Sequence, residues 1–367
     1  MRWDAQRLDF DEPSALPGLP DVRGLLRTVQ VPEFPGLTFH EVRAKSALNA
    51  VPKGSAMPFG HTINPYRGCS HACVYCYSRG THEWLELDSG ADFDQQIVVK
   101  TNLVDVLRRE LARPSWQRAH VALGTNTDPY QRAEGRYRLM PGVIDALARS
   151  GTPFSILTKG TLARRDVPRL VAAARDVPIG MGVSMAIWDD DLHTALEPGV
   201  PTPRARLDLV RAITDAGLPC GVFLAPVLPG LTDTREHLEA AIGAIAAAGA
   251  TGVTVLPLHL RPGAREWFTA WLAREHPGLV GRYRQLYGRG AYVPAEYRSW
   301  LAARVAPVLV RHGLDRQSGG VARGVDGTGS SLGLPGDESA GFPAGSLPGR
   351  LPDRAVAAEE PEQLALC

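Results

Sequence analysis

The chain has 367 residues, and its 44% hydrophobic content is enough to bury the core of one large domain or two ordinary ones. Its 40 basic and 39 acidic residues leave a net charge of only +1, which excludes a global electrostatic attraction to nucleic acid or to a membrane surface. Every apolar run falls short of the roughly 20 residues that span a bilayer, and the N-terminus lacks the apolar stretch of a signal peptide. We therefore expect a cytoplasmic globular protein.

The predicted elements begin with an extension and continue into a regular alternation of strands and helices. Residues 1–48 are interrupted by prolines and weakly periodic, so we predict that they pack on the surface or are partly disordered. Between 49 and 260, short apolar or β-branched runs alternate with amphipathic stretches. The predicted strands are 61–65, 119–124, 153–158, 179–184, 219–225 and 252–258. The predicted helices are 102–112, 139–150, 166–175, 203–217 and 233–249.

Six strands separated by helices indicate parallel βαβ units joined by right-handed crossovers. A closed TIM barrel contains eight such units. The sequence therefore predicts an α/β fold, with an open, partial (β/α)6 TIM-like barrel over residues 49–260.

The rest of the chain divides into a helical segment and a tail. Residues 261–316 have aromatic side chains at mostly helical spacings, which predicts helices packed on the barrel. This segment contains ten arginines, no lysine and four acids. Such a surface suits nucleic acid, although a solvated arginine face is the commoner explanation. Residues 317–367 are rich in Gly, Pro, Ser and Ala, so we predict a disordered tail whose removal leaves the fold intact.

Three of the five cysteines stand close together, at C-x3-C-x2-C spacing, and they are Cys69, Cys73 and Cys76. An odd count in a reducing compartment, with one tight group, indicates metal ligation rather than disulfides. Three thiolates suit three irons of a 4Fe–4S cluster, which normally has four cysteine ligands. The fourth iron is then open to the amino and carboxylate groups of S-adenosylmethionine, and electron transfer to the sulfonium yields a 5′-deoxyadenosyl radical. Tyr75 is placed to lie along the adenine.

The alternative is a non-catalytic metal-binding module, with zinc or an iron–sulfur cluster. A zinc site would use the three cysteines with His71 or His61. Structural zinc sites usually show two Cys or Cys/His pairs separated by a longer loop, and this chain lacks that pattern.

Unusual polar residues follow the predicted barrel strands, where the functional groups of βα barrels lie. Thr125, Thr127 and Asp128 follow the second strand, although Asp128 with the proline after it also fits a turn. Lys159 follows the third strand and Ser184 the fourth. Lys159 is one of only four lysines beside 36 arginines, and its ammonium group is suited to reach a carboxylate or a ribose oxygen.

The sequence resembles the radical S-adenosylmethionine superfamily, and within it the branch of spore photoproduct lyase and DNA repair photolyase-like proteins. The matching segments are NPYRGCSHACVYCY (64–77), GTNTDPYQRAE (124–134), ILTKG (156–160), GVSM (182–185), LEPGVPTPRARL (196–207) and APVLPGLTD (225–233). The resemblance implies that the partial barrel is of the radical SAM type.

The resemblance also implies roles for individual residues. Thr125, Thr127 and Asp128 would contact the amino and carboxylate ends of S-adenosylmethionine, although GTNTD stands where GGE is common. Lys159 and Ser184 would hold the same cofactor. Glu197 would accept hydrogen bonds from the ribose, unless it pairs with a nearby arginine. Tyr77, after the last cysteine of the motif, would be a radical relay or a packing aromatic.

The implied reaction is hydrogen abstraction from an unidentified substrate after reductive cleavage of S-adenosylmethionine. The implied partners are an electron donor of the flavodoxin or ferredoxin type and, by analogy, nucleic acid. Spore photoproduct lyase also uses a hydrogen-donor cysteine, and this chain has no cysteine between Cys76 and Cys220. We therefore do not expect thymine-dimer reversal by that relay.

Overall fold

The computed structural model describes residues 24–52, 55, 57–318 and 341–349. The strands are β1 (Leu25–Gln30), β2 (Thr38–Val42), β3 (Leu48–Ala50), β4 (His61–Ile63), β5 (Tyr66–Arg67), β6 (Gln96–Lys100), β7 (Val121–Leu123), β8 (Phe154–Thr158), β9 (Ile179–Met185), β10 (Gly221–Val227) and β11 (Gly252–Pro257). The helices are α1 (Ala91–Gln95), α2 (Leu103–Leu111), α3 (Arg132–Tyr137), α4 (Leu139–Arg149), α5 (Val167–Ala173), α6 (Asp190–Leu196), α7 (Pro203–Asp215), α8 (Arg235–Ala247), α9 (Ala264–Glu275), α10 (Val280–Tyr287) and α11 (Ala295–Arg311).

The main sheet has seven strands in the order β11-β10-β9-β8-β7-β4-β3. Strands β4 and β7 to β11 pair in parallel, and β3 pairs antiparallel to β4 at one edge. β9 is buried along almost its whole length, as expected for a parallel strand covered on both faces. The six predicted barrel strands are all present, with predicted helices between them, so the open, partial barrel is confirmed.

A second sheet of four strands, in the order β1-β2-β6-β5, lies beside the barrel. The prediction for residues 1–48 is therefore wrong for 25–42, which form two strands. β2 is buried at all five positions and pairs in parallel with β6, far along the chain. The apolar side chains of Phe39, Tyr66 and Ile97 pack between these strands and the rest of the molecule. Residues 1–23 of the predicted extension lie outside the described residues.

The helical prediction for 261–316 is confirmed by α9, α10 and α11, which lie between Ala264 and Arg311. Trp271, Tyr283 and Tyr287 belong to the main hydrophobic core, whereas Trp267 and Trp300 keep more than a third of their surface exposed. None of the helices in the described ranges is both long and apolar enough to cross a membrane.

Residues 341–349 contradict the prediction of a disordered tail over their length. The Gly341 carbonyl accepts a hydrogen bond of 2.7 Å from Thr254, and the Ala344 carbonyl accepts one of 2.5 Å from Thr251. The Phe342 ring contacts Phe223 at a centroid distance of 5.7 Å. Bridging contacts reach β9 and the segment after α11, so this segment closes the sheet at the amino ends of β9 to β11. The remaining tail, 319–340 and 350–367, lies outside the described residues.

We predict that the double variant Phe342→Ala, Leu347→Ala is less stable than the wild type by about 2–4 kcal/mol, because it removes two apolar side chains packed on the sheet. Thermal unfolding should show a melting temperature several degrees lower. Leu26→Ala is the control, since Leu26 is exposed. A double variant as stable as this control would show that the segment does not stabilise the barrel, as would an unchanged melting temperature after truncation at Ser318.

Candidate active site

The three-cysteine motif forms a tightly turned loop after β5. Gly68 enters the loop at φ +74°, and a Cβ at this position would lie 2.8 Å from the carbonyl oxygen of Gln96. Turn hydrogen bonds then join Ala72 N to the Cys69 carbonyl and Cys76 N to the Cys73 carbonyl, both at 3.1 Å. These two successive turns contain the three cysteines, which form no disulfide.

The three thiols interact electrostatically with one another. Burial raises the pKa of Cys73 well above its ordinary value, and the carboxylate of Glu197 and the other two thiols raise it further. Burial and the neighbouring Cys69 likewise raise the pKa of Cys76 to about 11. Thiolates are the metal-binding form of cysteine, and a bound cationic centre favours them over the neutral thiols. The donor set therefore fits an iron–sulfur cluster.

His71, between the first two cysteines, contacts both the Asp128 carboxylate and the Cys69 thiol. Its Nδ1 lies 3.4 Å from a carboxylate oxygen of Asp128. Burial lowers the pKa of His71, but Asp128 and Cys69 outweigh this effect and raise it to about 10. His61 packs against Trp116 instead. In the described part of the chain, no three His, Cys, Asp or Glu side chains are gathered around the position of one single metal ion. The thiols of a 4Fe–4S cluster each bind a different iron, so they stand further apart than the ligands of one ion.

Asp128 connects the cysteine loop to the ends of two barrel strands. Besides His71, it accepts hydrogen bonds from the Thr158 hydroxyl at 2.5 Å and from the backbone N–H groups of Lys159 at 2.6 Å and Tyr130 at 2.8 Å. These contacts show the turn that the sequence offered as an alternative. A direct contact between Asp128 and the cofactor stays a prediction.

The two threonines before Asp128 have different surroundings. The Thr127 hydroxyl is buried and donates to the carbonyl of Tyr66 at 3.0 Å, so in this structure it joins β5 to the end of β7. The Thr125 carbonyl accepts a hydrogen bond from the hydroxyl of Tyr77. Their predicted roles at the cofactor are not tested by these contacts.

Tyr75, Lys159, Ser184 and Glu197 meet in one buried cluster, which we call the Glu197 cluster. The Glu197 carboxylate is fully buried and accepts hydrogen bonds from the Tyr75 hydroxyl and, at 2.7 Å, from Arg206. The Lys159 ammonium lies 2.8 Å from the Ser184 hydroxyl and 3.4 Å from Glu197. The alternative that Glu197 pairs with an arginine is thus what the structure shows.

The charges of the Glu197 cluster stabilise its carboxylate. Burial raises the pKa of Glu197, but Arg206 and Lys159 more than compensate and lower it to about 2. Arg206 also donates to the Ser184 carbonyl at 3.0 Å, so it holds both Glu197 and the end of β9. One fully buried carboxylate is therefore ionised next to the cysteine loop, with its countercharges in place.

Sequence reasoning missed two residues that shape the cysteine loop. Arg79 is fully buried, donates to the Cys73 carbonyl at 2.9 and 3.1 Å, and forms an ion pair with Asp94 at 2.9 Å. Its guanidinium carbon also lies 5.0 Å from the ring centre of Trp267. Gly199 donates to the His71 carbonyl at 3.1 Å, and a Cβ there would lie 2.0 Å from the Ser70 carbonyl oxygen. Neither residue type signals such a contact by its position in the sequence.

Comparison with known proteins places this site in a family. The Radical SAM superfamily matches residues 63–242, which include the cysteine loop and the Glu197 cluster. Uncharacterized proteins of Mycobacterium tuberculosis and Mycobacterium bovis are each 60% identical over 318 residues, which cover 86% of this chain and 93% of theirs. An uncharacterized protein of Methanocaldococcus jannaschii is 25% identical over 195 residues, 53% of this chain and 70% of its own.

Solved structures of spore photoproduct lyase share the fold. A mutant with bound AdoMet and dinucleoside spore photoproduct superposes with a TM-score of 0.56 and 15% identity, over 74% of this chain and 78% of that one. A second structure, complexed with dinucleoside spore photoproduct, gives a TM-score of 0.55 and 13% identity over 75% and 79%. The family implies S-adenosylmethionine and a 4Fe–4S cluster as cofactors, and the three thiols provide a fitting donor set. The chain belongs to the radical SAM superfamily.

Proposed function

We propose that this protein is an enzyme that holds a 4Fe–4S cluster through Cys69, Cys73 and Cys76 and cleaves S-adenosylmethionine reductively. When bound, the cluster and S-adenosylmethionine supply a 5′-deoxyadenosyl radical, which abstracts a hydrogen atom from the substrate. The observation that supports this most directly is the position of Tyr75, which lies between two of the thiols in the sequence and contacts the buried Glu197.

The Glu197 cluster supports a binding site for S-adenosylmethionine beside the cysteine loop. The ammonium of Lys159 has three N–H donors, and within the described residues it donates one to Ser184 and forms an ion pair with Glu197. Its side chain keeps 13% of its surface exposed, so a third donor can reach the carboxylate or a ribose oxygen of a bound ligand. The Tyr75 ring lies 5.6 Å from this ammonium group and offers a face to the adenine.

The Glu197 carboxylate would accept hydrogen bonds from the ribose hydroxyl groups of S-adenosylmethionine. A carboxylate has about four lone-pair positions, and Tyr75, Arg206 and Lys159 occupy some of them. Since the pKa of Glu197 is about 2, the group accepts hydrogen bonds throughout the physiological range. Arg206 fixes its orientation and does not itself need to touch the ligand.

Nucleic acid is the substrate class we propose, and the fold shared with a lyase bound to a dinucleoside photoproduct supports it. A reductant of the flavodoxin or ferredoxin type would supply the electron. Tyr77 would act next to the substrate, as a radical relay or as a contact. With no cysteine between Cys76 and Cys220, a hydrogen donor other than a cysteine of that stretch would complete the reaction.

Anaerobic reconstitution with iron and sulfide tests the metal centre. We expect about four irons per chain and a visible charge-transfer band, as for a 4Fe–4S cluster. A colourless protein that prefers zinc would favour a non-catalytic metal-binding module and contradict the proposal.

Lys159→Ala should weaken S-adenosylmethionine binding while leaving the iron content unchanged, because Lys159 provides no thiolate. The expected loss is about 1–3 kcal/mol for a hydrogen bond to a charged group, or roughly one to two decades in Kd. Isothermal titration of the anaerobically reconstituted protein measures this.

Three further variants complete the Lys159 experiment. Lys159→Arg should recover only part of the affinity, because a planar guanidinium cannot take the place of the compact ammonium. Ser184→Ala should have a smaller effect, since it removes a neutral partner. Lys45→Ala is the matched control, because Lys45 is an exposed lysine. If Lys159→Ala binds as tightly as Lys45→Ala, Lys159 does not contact the cofactor.

A further inference from the structure

Three aromatic rings form a row next to the cysteine loop. The Tyr77 ring lies 5.3 Å from the His259 ring at an interplanar angle of 41°, and His259 lies 5.6 Å from Tyr292 at 29°. Tyr77 follows Cys76 directly, His259 lies just beyond β11, and Tyr292 precedes α11. Because the Tyr77 hydroxyl also reaches the carbonyl of Thr125 after β7, the row spans the carboxyl ends of β7 and β11.

An arginine covers this row. The guanidinium of Arg261 lies 5.5 Å from the ring centre of Tyr77, and it donates to the Tyr292 hydroxyl at 3.4 Å. Burial and the charge of Arg261 lower the pKa of His259 to about 4, so the imidazole is neutral near pH 7. The site therefore presents neutral π surfaces and one cation, and Arg261 itself is exposed.

Tyr77 differs from its neighbours in the loop by its exposure. It keeps 37% of its surface exposed, whereas Tyr75, two residues earlier, keeps 6%. A large ring exposed beside the cysteine loop is a surface that a ligand can cover.

We propose that Tyr77, His259, Tyr292 and Arg261 form the substrate-binding site, which we call the mouth platform, and that it takes a base and the adjoining phosphate of a single-stranded nucleic acid. This inference rests on the proposed function, because it assumes that chemistry occurs beside Cys76. Bases stack on aromatic side chains irrespective of sequence, and arginine contributes both stacking and charge to such sites.

The charge around the mouth platform favours nucleic acid over an acidic, aromatic peptide. One carboxylate needs one cation, but two arginines, Arg261 and Arg298, lie at the mouth platform. Arg298 lines the same depression as His259 and Tyr292, so positive charge continues beyond Arg261. A row of phosphates matches this distribution better than a single anionic side chain does.

Fluorescence anisotropy with labelled single-stranded DNA and RNA oligonucleotides tests the proposal on the reconstituted protein with S-adenosylmethionine. Tyr292→Ala should weaken binding by about tenfold, within the range for the loss of one stacked base. Arg261→Ala should weaken oligonucleotide binding. It should also reduce the slope of log K against log salt concentration by about one, the value for one lost phosphate contact. Trp300→Ala is the matched control, because it removes an exposed ring that pairs with Arg304 on α11 and should bind as the wild type does.

Two results would overturn the mouth platform. The first is that Tyr292→Ala and Arg261→Ala both bind oligonucleotides as tightly as Trp300→Ala does. The other is a wild type that binds an acidic aromatic peptide but neither oligonucleotide. Tyr292→Phe keeps the ring and should keep the affinity, and exposed Arg261 decides the question if Tyr292→Ala fails to fold. Failure of the proposed function has a different signature, since a protein without radical chemistry forms no 5′-deoxyadenosine whichever polymer it binds.

Discussion

Cys73→Ala is expected to abolish cluster binding, with the iron content falling from about four per chain to the background of the reconstitution. Two remaining thiols leave two irons of the cube without a protein ligand. Cys69→Ala and Cys76→Ala should behave in the same way, because each of the three thiols would bind a different iron. Iron and sulfide analysis with the visible spectrum measures the loss.

Cys220→Ala is the control for the three cysteine variants. Cys220 is fully buried directly before β10 and lies in the hydrophobic core. Its replacement should cost some stability but leave the iron content unchanged. Iron near four per chain in any one of the three loop variants would remove that cysteine from the ligand set.

Gly199→Ala should disrupt the cysteine loop although Gly199 contributes no side chain to it. The new Cβ would lie 2.0 Å from the Ser70 carbonyl oxygen, so either the loop or the segment after Glu197 must move. Overpacking of this kind typically costs about 1–3 kcal/mol. We expect a lower melting temperature, reduced iron content and weaker S-adenosylmethionine binding together, because the contact joins both halves of the site.

Gly281→Ala is the matched control for Gly199→Ala. Gly281 lies in α10, and a Cβ there meets no atom within 4 Å, so alanine should be neutral or slightly stabilising. A Gly199→Ala protein that matches this control in melting temperature and iron content would show that the close approach is not needed for the site.

The barrel was predictable because its strands are local features of the sequence. The predicted strand 179–184 begins directly after Pro178, and the structure confirms it as β9 (Ile179–Met185). β2 could not be recognised in the same way. All five of its residues are buried, but His40 and Glu41 are polar and have hydrogen-bond partners in β1 and β6, so no apolar run marks the strand.

At the active site, the residues that could be predicted from the sequence are those whose type and spacing indicate their chemistry. The residue types and spacing of Cys69, Cys73 and Cys76 carry their own chemistry, so the loop could be recognised from the amino-acid sequence. Arg79 could not, because a chain with 36 arginines gives no reason to single out this one, whose exposed surface is zero.

The ordered segment at 341–349 could not be predicted from the sequence either. Phe342 and Leu347 are the apolar side chains that hold it, and glycine and proline separate them. Its backbone carbonyls make the contacts with Thr251 and Thr254, and any sequence of suitable shape can supply those. The amino-acid composition predicts disorder here because it contains no information about the surface on which the segment packs, at the amino ends of β9 to β11.

The most direct test of the proposed radical chemistry is 5′-deoxyadenosine formation by the anaerobically reconstituted wild type, supplied with S-adenosylmethionine and a strong reductant and analysed by liquid chromatography. If this chemistry occurs, 5′-deoxyadenosine forms only with the reductant and is absent with Cys73→Ala. A wild type that contains about four irons per chain and binds S-adenosylmethionine, yet forms no 5′-deoxyadenosine above the level of Cys73→Ala, would contradict it.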